Sequence, residues 1–159
     1  MTDGMYGDLS LDELDIDFVR GTYRLRLADV QDHSANVEEG ELPRKFRIFN
    51  FEIDDDNPDV EDFRGEQAKG VFLNYWPELN RAKLDSMSSK EKTSLRKAVK
   101  LFKTLAEAFG VDQEQIKSGQ IDWENYIDHY VYATLYKDKR TGDPAIQTDS
   151  IVSEQSVEI

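Results

Sequence analysis

The chain has 159 residues, no cysteine and a formal charge of −13 at pH 7. This length is that of one domain that can bury a core without cross-links. The lack of cysteine excludes disulfides, thiolate metal sites and cysteine nucleophiles. No apolar run approaches the roughly 20 residues that span a bilayer, and the acidic N-terminal sequence does not have the pattern of a signal peptide. We therefore expect a cytoplasmic protein that does not enter a membrane.

The charge is distributed unevenly along the chain. Residues 1–80 carry 20 acidic and 8 basic side chains, residues 81–103 carry 2 and 8, and residues 104–159 carry 11 and 4. A binding site responds mainly to charges within a Debye length. The net negative charge therefore makes nucleic-acid binding less expected but does not exclude it.

The first part of the chain predicts an arm and two strands. Residues 1–17 are acidic and turn-rich and predict an N-terminal arm. Residues 21–30 alternate apolar and basic side chains, which is typical of a strand with one apolar and one basic face. The polar residues 32–42 predict a loop, and residues 44–53 predict the second strand.

The apolar pattern of the second strand changes phase midway. Phe46 and Ile48 are at even-numbered positions and would face one side of the sheet, whereas Phe49, Phe51 and Ile53 are at odd-numbered positions and would face the other. Either a β-bulge or a strand that is contacted on both faces would account for this change.

The middle of the chain predicts a third strand and one long helix. An acidic connection over residues 54–66 leads to a strand over residues 70–76. Ser88 followed by Glu91 is a capping-box pattern that begins a helix. Apolar residues then recur at helical spacing until Gly110, a suitable C-terminal stop.

The last part predicts two strands joined by a hairpin. Residues 112–125 are a connection, residues 126–140 a strand, residues 139–142 a turn and residues 145–152 the final strand. The remaining residues 153–159 predict a short flexible tail.

This order of elements is that of an OB fold, a five-stranded barrel with a helix between strands three and four. We therefore predict an all-β domain with one inserted helix over residues 18–152.

The strand over residues 126–140 is rich in tyrosine. Its odd positions are mainly aliphatic and should face the core, with His129 among them; its even positions include Tyr126, Tyr130, Tyr132 and Tyr136. Outward tyrosines beside cations suit base stacking and phosphate contacts. The alternative is that these tyrosines are simply half buried under a neighbouring element, because tyrosine favours strands.

Three predicted strands carry aromatic or basic side chains on faces turned away from the core, and the hairpin adds further cations. OB folds commonly bind oligonucleotides at the face of strands two and three and at the hairpin after strand four. The predicted nucleic-acid-binding residues are Arg24, Arg26, Arg47, Phe72, Trp76, Tyr130, Tyr132, Tyr136, Lys137, Lys139 and Arg140. The lysine-rich helix has the simpler interpretation of a solvated helix face.

The sequence favours a binding protein over an enzyme. His33 and His129 have no histidine or cysteine at ligand spacing. No phosphate loop, dinucleotide motif or nucleophile elbow is present. We expect no catalytic residues and no cofactor.

The acidic connection over residues 54–66 has a partial likeness to a calcium loop. Asp55 would take the first position, but Val60 stands where the sharp turn needs glycine and Pro58 interrupts the pattern. A solvated loop without a metal is the better interpretation, and whether the loop binds a cation weakly is left open.

The chain resembles a family of small bacteriophage single-stranded DNA-binding proteins. The resemblance covers about residues 18–152 and rests on GTYRLRLADV, FNFEI, KGVF, LAEAFG and the final hairpin. It implies an OB-like protein of a phage replication or recombination module. Such a protein would coat transient single strands and pass them to a phage recombinase or polymerase.

A second hypothesis is an acidic protein-interaction module, such as a DNA mimic that blocks a host DNA-binding enzyme. Its support is the net charge and the carboxylates over residues 12–17 and 54–62. The sequence leaves open the oligomeric state, the site size and the preference for DNA over RNA.

Overall fold

The structure is a computed structural model and describes residues 4–10, 13 and 18–154. The strands are β1 (Gly21–Ser34), β2 (Lys45–Ile53), β3 (Val71–Tyr75), β4 (Tyr130–Lys137) and β5 (Pro144–Ile146). The helices, all between β3 and β4, are α1 (Arg81–Asp85), α2 (Ser89–Ala108) and α3 (Gln113–Ser118). Short 3₁₀ turns lie at Pro58–Phe63, Trp123–Tyr126 and Thr148–Ser150.

The five strands form one antiparallel sheet in the order β3-β2-β1-β4-β5. The sheet curls until its two edges approach each other, where the backbone nitrogen of Lys69 donates to the carbonyl of Pro144 at 2.9 Å. The result is a nearly closed barrel with one long helix between the third and fourth strands. This confirms the predicted OB-like all-β fold.

A β-bulge lies in β1, the long strand that pairs with both β2 and β4. The pairing of β1 with β2 shifts between Leu27 and Asp29, so one extra residue lies in β1 at that point. Leu27 faces the core before the shift, and Val30 faces it afterwards. The outward positions after the bulge are therefore Asp29, Gln31 and His33.

The core lies inside the barrel and is covered at one end by α2. Alternate residues of each strand point inward, as the period of a pleated strand requires. Fully buried side chains include Tyr23, Leu25, Leu27, Phe49, Phe51, Ile53, Val131 and Leu135. Leu105 of α2 is also fully buried, and Trp123 packs edge-on against Phe49 at 5.0 Å between ring centres.

The long helix begins where the sequence predicts it. The Ser88 side chain accepts from the Glu91 backbone at 3.2 Å, and the Glu91 side chain accepts from the Ser88 backbone at 3.2 Å. Helix α2 ends at Ala108, and Gly110 follows with φ of 71°, a backbone conformation that glycine adopts readily.

The second strand is contacted on both faces, which was one of the two explanations for its phase change. Phe49, Phe51 and Ile53 are buried inside the barrel. Phe46 and Ile48 lie on the outer surface and are half-buried there. The bulge itself lies in the neighbouring strand β1, not in β2.

The prediction of a loop from residue 32 was wrong at its start. Residues 32–34 continue β1 because they pair with the beginning of β2, where His33 lies opposite Phe46 and Ser34 opposite Lys45. The loop between the two strands covers only residues 35–44.

The prediction that the fourth strand starts at Tyr126 was also wrong. Tyr126 ends a 3₁₀ turn and packs on Phe109, with ring centres 5.6 Å apart. Asp128 has φ of 74°, in the left-handed region that interrupts an extended chain. His129 is exposed, so it does not belong to the inward row.

The last predicted strand is broken into two pieces. Strand β5 has only three residues, and the 3₁₀ turn at Thr148–Ser150 follows it. Val152 then pairs with Tyr132 of β4 through two backbone hydrogen bonds of 2.9 and 2.8 Å.

Most of the predicted arm and tail lie outside the described residues. Of the arm over residues 1–17, only residues 4–10 and 13 are described, and of the tail over residues 153–159, only residues 153 and 154 are described. In the part of the chain that is described, no helix is both long enough and apolar enough to cross a membrane.

Candidate nucleic-acid interface

Three aromatic rings are stacked across the outer surface of β1, β2 and β3. His33 and Phe46 have ring centres 5.4 Å apart and planes inclined by 24°, and Phe46 and Phe72 have centres 5.5 Å apart with planes inclined by 8°. We call these three residues the outer aromatic stack. Phe72 ends the stack and is 56% exposed.

The register of β1, β2 and β3 brings these three rings next to one another. Phe46 lies directly opposite His33 and is diagonal to Phe72, whose direct partner is Ile48. Diagonal partners on one sheet face are within reach of aromatic side chains. Gly70 leaves room beside Ile48, because a Cβ atom at residue 70 would lie 2.7 Å from its Cγ2.

A second aromatic surface lies where β1 pairs with β4. Tyr130 lies opposite Arg26, and Tyr132 lies opposite Arg24. The guanidinium of Arg24 stands over the ring of Tyr130, 4.5 Å from its centre. The predicted outward direction of these four side chains is therefore observed, and all four are half-buried.

The two arginines on this surface are already engaged by acidic and carbonyl groups. The Nε atom of Arg24 donates to the carbonyl of Asp54 at 2.8 Å. Arg26 donates to the carboxylates of both Glu52 and Asp128. The hydrogen bond to Glu52 is the main cause of the raised pKa of Arg26. A phosphate at this surface would therefore compete with internal carboxylates.

The β4–β5 hairpin carries three further predicted residues, Lys137, Lys139 and Arg140, all exposed. Its turn is organised by Asp138, whose carboxylate accepts from the backbone nitrogens of Arg140 at 2.8 Å and Thr141 at 3.2 Å.

Lys69 attaches this hairpin to the strand of Phe72. Its Nζ atom donates to Asp138 at 2.9 Å. Phe72 lies three residues further along the chain, about 10 Å at the rise of a strand. The hairpin is therefore attached to the chain segment that leads into β3, the strand that carries Phe72.

Arg47 and Trp76 are in a different place from the stack. They line a groove of about 720 Å³ between the end of β3 and the helices α2 and α3. Arg47 lies over the ring of Tyr75 at 5.0 Å and is 3.8 Å from the carboxylate of Asp32. Trp76 does not continue the outward row of Phe72.

Tyr136, the last tyrosine of β4, lies beside the long helix. It lines a second groove of about 640 Å³ whose helix wall includes Lys97 and Lys100. The ring is 38% exposed. It follows the fully buried Leu135 in β4, so alternation along the strand places it on the outer surface.

Sequence reasoning missed three residues of the interface: His33, Phe46 and Arg44. Arg44 supports the edge of the stack through a 3.1 Å hydrogen bond from its Nη1 atom to Asn74. The phase change in the second strand could have identified Phe46, since it placed this ring on the face of the strand opposite to Phe49, Phe51 and Ile53. No sequence signal indicated that His33 would lie beside it.

The first carboxylates of the acidic connection are used within the fold. Asp55 accepts from the backbone nitrogen of Arg24 at 2.6 Å and from that of Asn57 at 2.8 Å. Val60 of the same segment is fully buried. Among the described residues, no group of three or more histidine, aspartate or glutamate side chains is arranged to hold a metal ion.

No protein-family model matches the chain, and neither a curated protein nor a solved structure is detectably similar to it. The functional interpretation therefore depends on the geometry of these surfaces.

Proposed function

We propose that this protein binds single-stranded DNA on the outer surface of its barrel. The observation that carries the proposal is the exposed ring of Phe72 at the end of three stacked rings. The bases would stack on this end of the outer aromatic stack, and the hairpin cations would contact the phosphates.

The geometry of the stack supports base binding. The rings of Phe46 and Phe72 are nearly parallel, so Phe46 holds the plane of Phe72 from one side. The exposure of Phe72 leaves ring surface available to a base. Stacking of a base on an aromatic side chain contributes about 1–3 kcal/mol and tolerates any base sequence.

The hairpin supplies positive charge next to the segment that leads into the strand of Phe72. Lys139 and Arg140 are exposed, and neither forms an ion pair with a described residue. The Lys69–Asp138 hydrogen bond holds the hairpin beside the strand that carries Phe72. Phosphates of a strand stacked on Phe72 would therefore be able to contact exposed cations that no described carboxylate compensates.

The alternative of an acidic interaction module has weaker support. Three of the seven carboxylates of the acidic connection are engaged: Asp54 contacts Arg24, Asp55 binds backbone nitrogens and Asp56 pairs with Arg64 at 2.8 Å. Carboxylates that stabilise their own loop are less suited to imitate the phosphates of DNA for a partner.

The role in a phage replication or recombination module stays a prediction, as does a cytoplasmic location. Coating a transient single strand and passing it to a recombinase or polymerase fits a small barrel with a sequence-tolerant stacking surface. The resemblance described above is the source of this part of the proposal.

The direct test is the fluorescence anisotropy of a labelled oligothymidylate of about 16 nucleotides, the upper end of the site size of one OB fold. A labelled strand is preferable to intrinsic fluorescence, because Trp123 is only 3% exposed and Trp76 lines a different groove. We expect saturable binding that weakens with salt. Phe72→Ala should weaken it about 5- to 150-fold, which corresponds to the loss of one stacked base.

Tyr6→Ala is a suitable control, because Tyr6 has the same exposed fraction of 56% as Phe72 but takes part in none of the ring contacts between described residues. It should bind as the unaltered protein does. The proposal would be wrong if the unaltered protein did not bind the strand at any salt concentration, or if both variants bound it equally well.

A further inference from the structure

Among the described residues, four cations of the barrel are paired with carboxylates, whereas the cations of the long helix are not. Arg24, Arg26, Arg47 and Lys69 of the barrel each lie within 4.0 Å of a carboxylate. Helix α2 carries six basic and two acidic side chains. In the described part of the chain, none of these six cations forms an ion pair. The helix thus carries a cluster of six uncompensated cations in an acidic protein, in addition to Lys139 and Arg140 of the hairpin.

Two of these cations share a groove with an exposed aromatic ring. Lys97 and Lys100 are three residues apart and therefore neighbours on one helix face. Leu101 and Thr104 of the same face also line the groove, and Tyr136 of β4 lines it from the barrel side. An aromatic ring beside two unpaired ammonium groups can stack a base and contact its flanking phosphates.

We propose that this groove is a second nucleotide-binding subsite, in which Tyr136 stacks a base and Lys97 and Lys100 hold the adjoining phosphates. The inference deepens the proposed function and rests on it. Helix α2 would then contribute to single-strand binding in addition to covering the end of the barrel.

The subsite is continuous with the outer surface through the β4–β5 hairpin. Tyr136 directly precedes Lys137, which lies opposite Pro144, and the carbonyl of Pro144 accepts the hydrogen bond from Lys69. A strand that leaves Phe72 would therefore pass the hairpin cations before it reaches Tyr136.

One carboxylate also lines the groove. Asp149 accepts from Nε2 of Gln147 at 3.0 Å and forms no ion pair with Lys97 or Lys100. It would repel a phosphate in the groove, so its removal and the removal of the lysines should have opposite effects on binding.

The test measures the affinity for the labelled oligothymidylate as a function of salt concentration. Lys97→Gln with Lys100→Gln should weaken binding at low salt about tenfold. It should also reduce the slope of log affinity against log salt by about 1.4, since each phosphate contact on a single strand contributes about 0.7. Asp149→Asn should strengthen binding, and Tyr136→Leu should weaken it without changing the slope.

Lys90→Gln with Lys92→Gln is the matched control, because it removes the same charge from the first turn of the same helix, outside the groove. It should leave the slope nearly unchanged. If the unaltered protein and Phe72→Ala differ as expected while the two double variants behave alike, this inference is overturned and the proposed function stands. If the unaltered protein does not bind the strand, both are overturned.

Discussion

The ammonium group of Lys69 donates a 2.9 Å hydrogen bond to the carboxylate of Asp138, and the backbone nitrogen of the same lysine donates to Pro144 at 2.9 Å. Lys69, which lies two residues before β3, therefore holds both ends of the loop that joins β4 to β5. This contact positions the hairpin cations beside the strand of Phe72 and brings the two edges of the barrel together.

Because of this contact, we expect the free energy of unfolding to change with pH in the acidic range. The hydrogen bond from Lys69, followed by the backbone hydrogen bond from Arg140, lowers the pKa of Asp138 from 3.8 to about 2. The Asp138 carboxylate binds a proton more readily in the unfolded chain than in the folded protein. The stabilisation that its ionised form gives is therefore complete above about pH 4 and is lost as the pH falls towards 2.

Urea unfolding midpoints between pH 5 and pH 2 would test this expectation. The stability difference between the unaltered protein and Asp138→Asn should shrink as the pH falls through this window of about 3.8 to 2. A difference that stays constant with pH would contradict it. Lys69→Gln should raise the pKa of Asp138 in a direct NMR titration of its carboxyl group.

The absence of a side chain at residue 70 is needed for the packing of the outer surface. In Gly70→Ala the new Cβ would lie 2.7 Å from Cγ2 of Ile48, closer than contacting carbon atoms approach. We expect a loss of about 1–3 kcal/mol in the free energy of unfolding, as for other overpacked sites.

A double-mutant cycle measured by chemical denaturation would identify the cause. Ile48→Ala removes the atom that the new Cβ meets, so the double variant should be more stable than the sum of the two single changes implies. Strict additivity would show that the steric contact is not responsible.

Glu52 is expected to limit how well Arg26 attracts a phosphate. Glu52→Gln removes one of the two carboxylates that accept from Arg26. The affinity for single-stranded DNA should therefore rise several-fold at low salt. Asp56→Asn is the matched control, since it removes the same charge from the more exposed pair with Arg64. Equal effects of the two variants would mean that only the net charge matters.

Helix α2 is held on the barrel by Leu105, which is fully buried. Leu105→Ala should lower the free energy of unfolding by about 2–5 kcal/mol, because a cavity would remain in the core. Val99→Ala, on the same helix but 42% exposed, should cost much less. Chemical denaturation of both variants would test this, and similar losses would mean that Leu105 does not anchor the helix.

The sequence by itself predicts the elements whose signals are local. The reciprocal contact of Ser88 and Glu91 begins α2 as predicted, because capping involves residues only three positions apart. Alternation along residues 130–136 also places Tyr130 and Tyr132 outward, as observed. The second and third strands agree with their predicted bounds to within one residue.

The same local pattern was misleading at Tyr126. Tyr126 is at an even-numbered position, like the outward tyrosines of β4. However, the chain turns at Trp123–Tyr126 and Asp128 adopts a positive φ. Packing of the Tyr126 ring on Phe109 outweighs its preference for a strand. Alternation describes the faces of a strand and does not show where the extended chain begins.

Only the tertiary structure decides which of the outward residues form a surface together. The bulge after Leu27 places His33 opposite Phe46, and the register of β3 adds Phe72 to the stack. The pairing of Arg26 with Glu52 likewise joins residues that are 26 positions apart. The residue types and their faces are therefore present in the sequence, because pleat and helix periods are local properties of the chain. Their association into a stack, an ion pair or a groove depends on strand register and barrel closure, which involve contacts between distant segments.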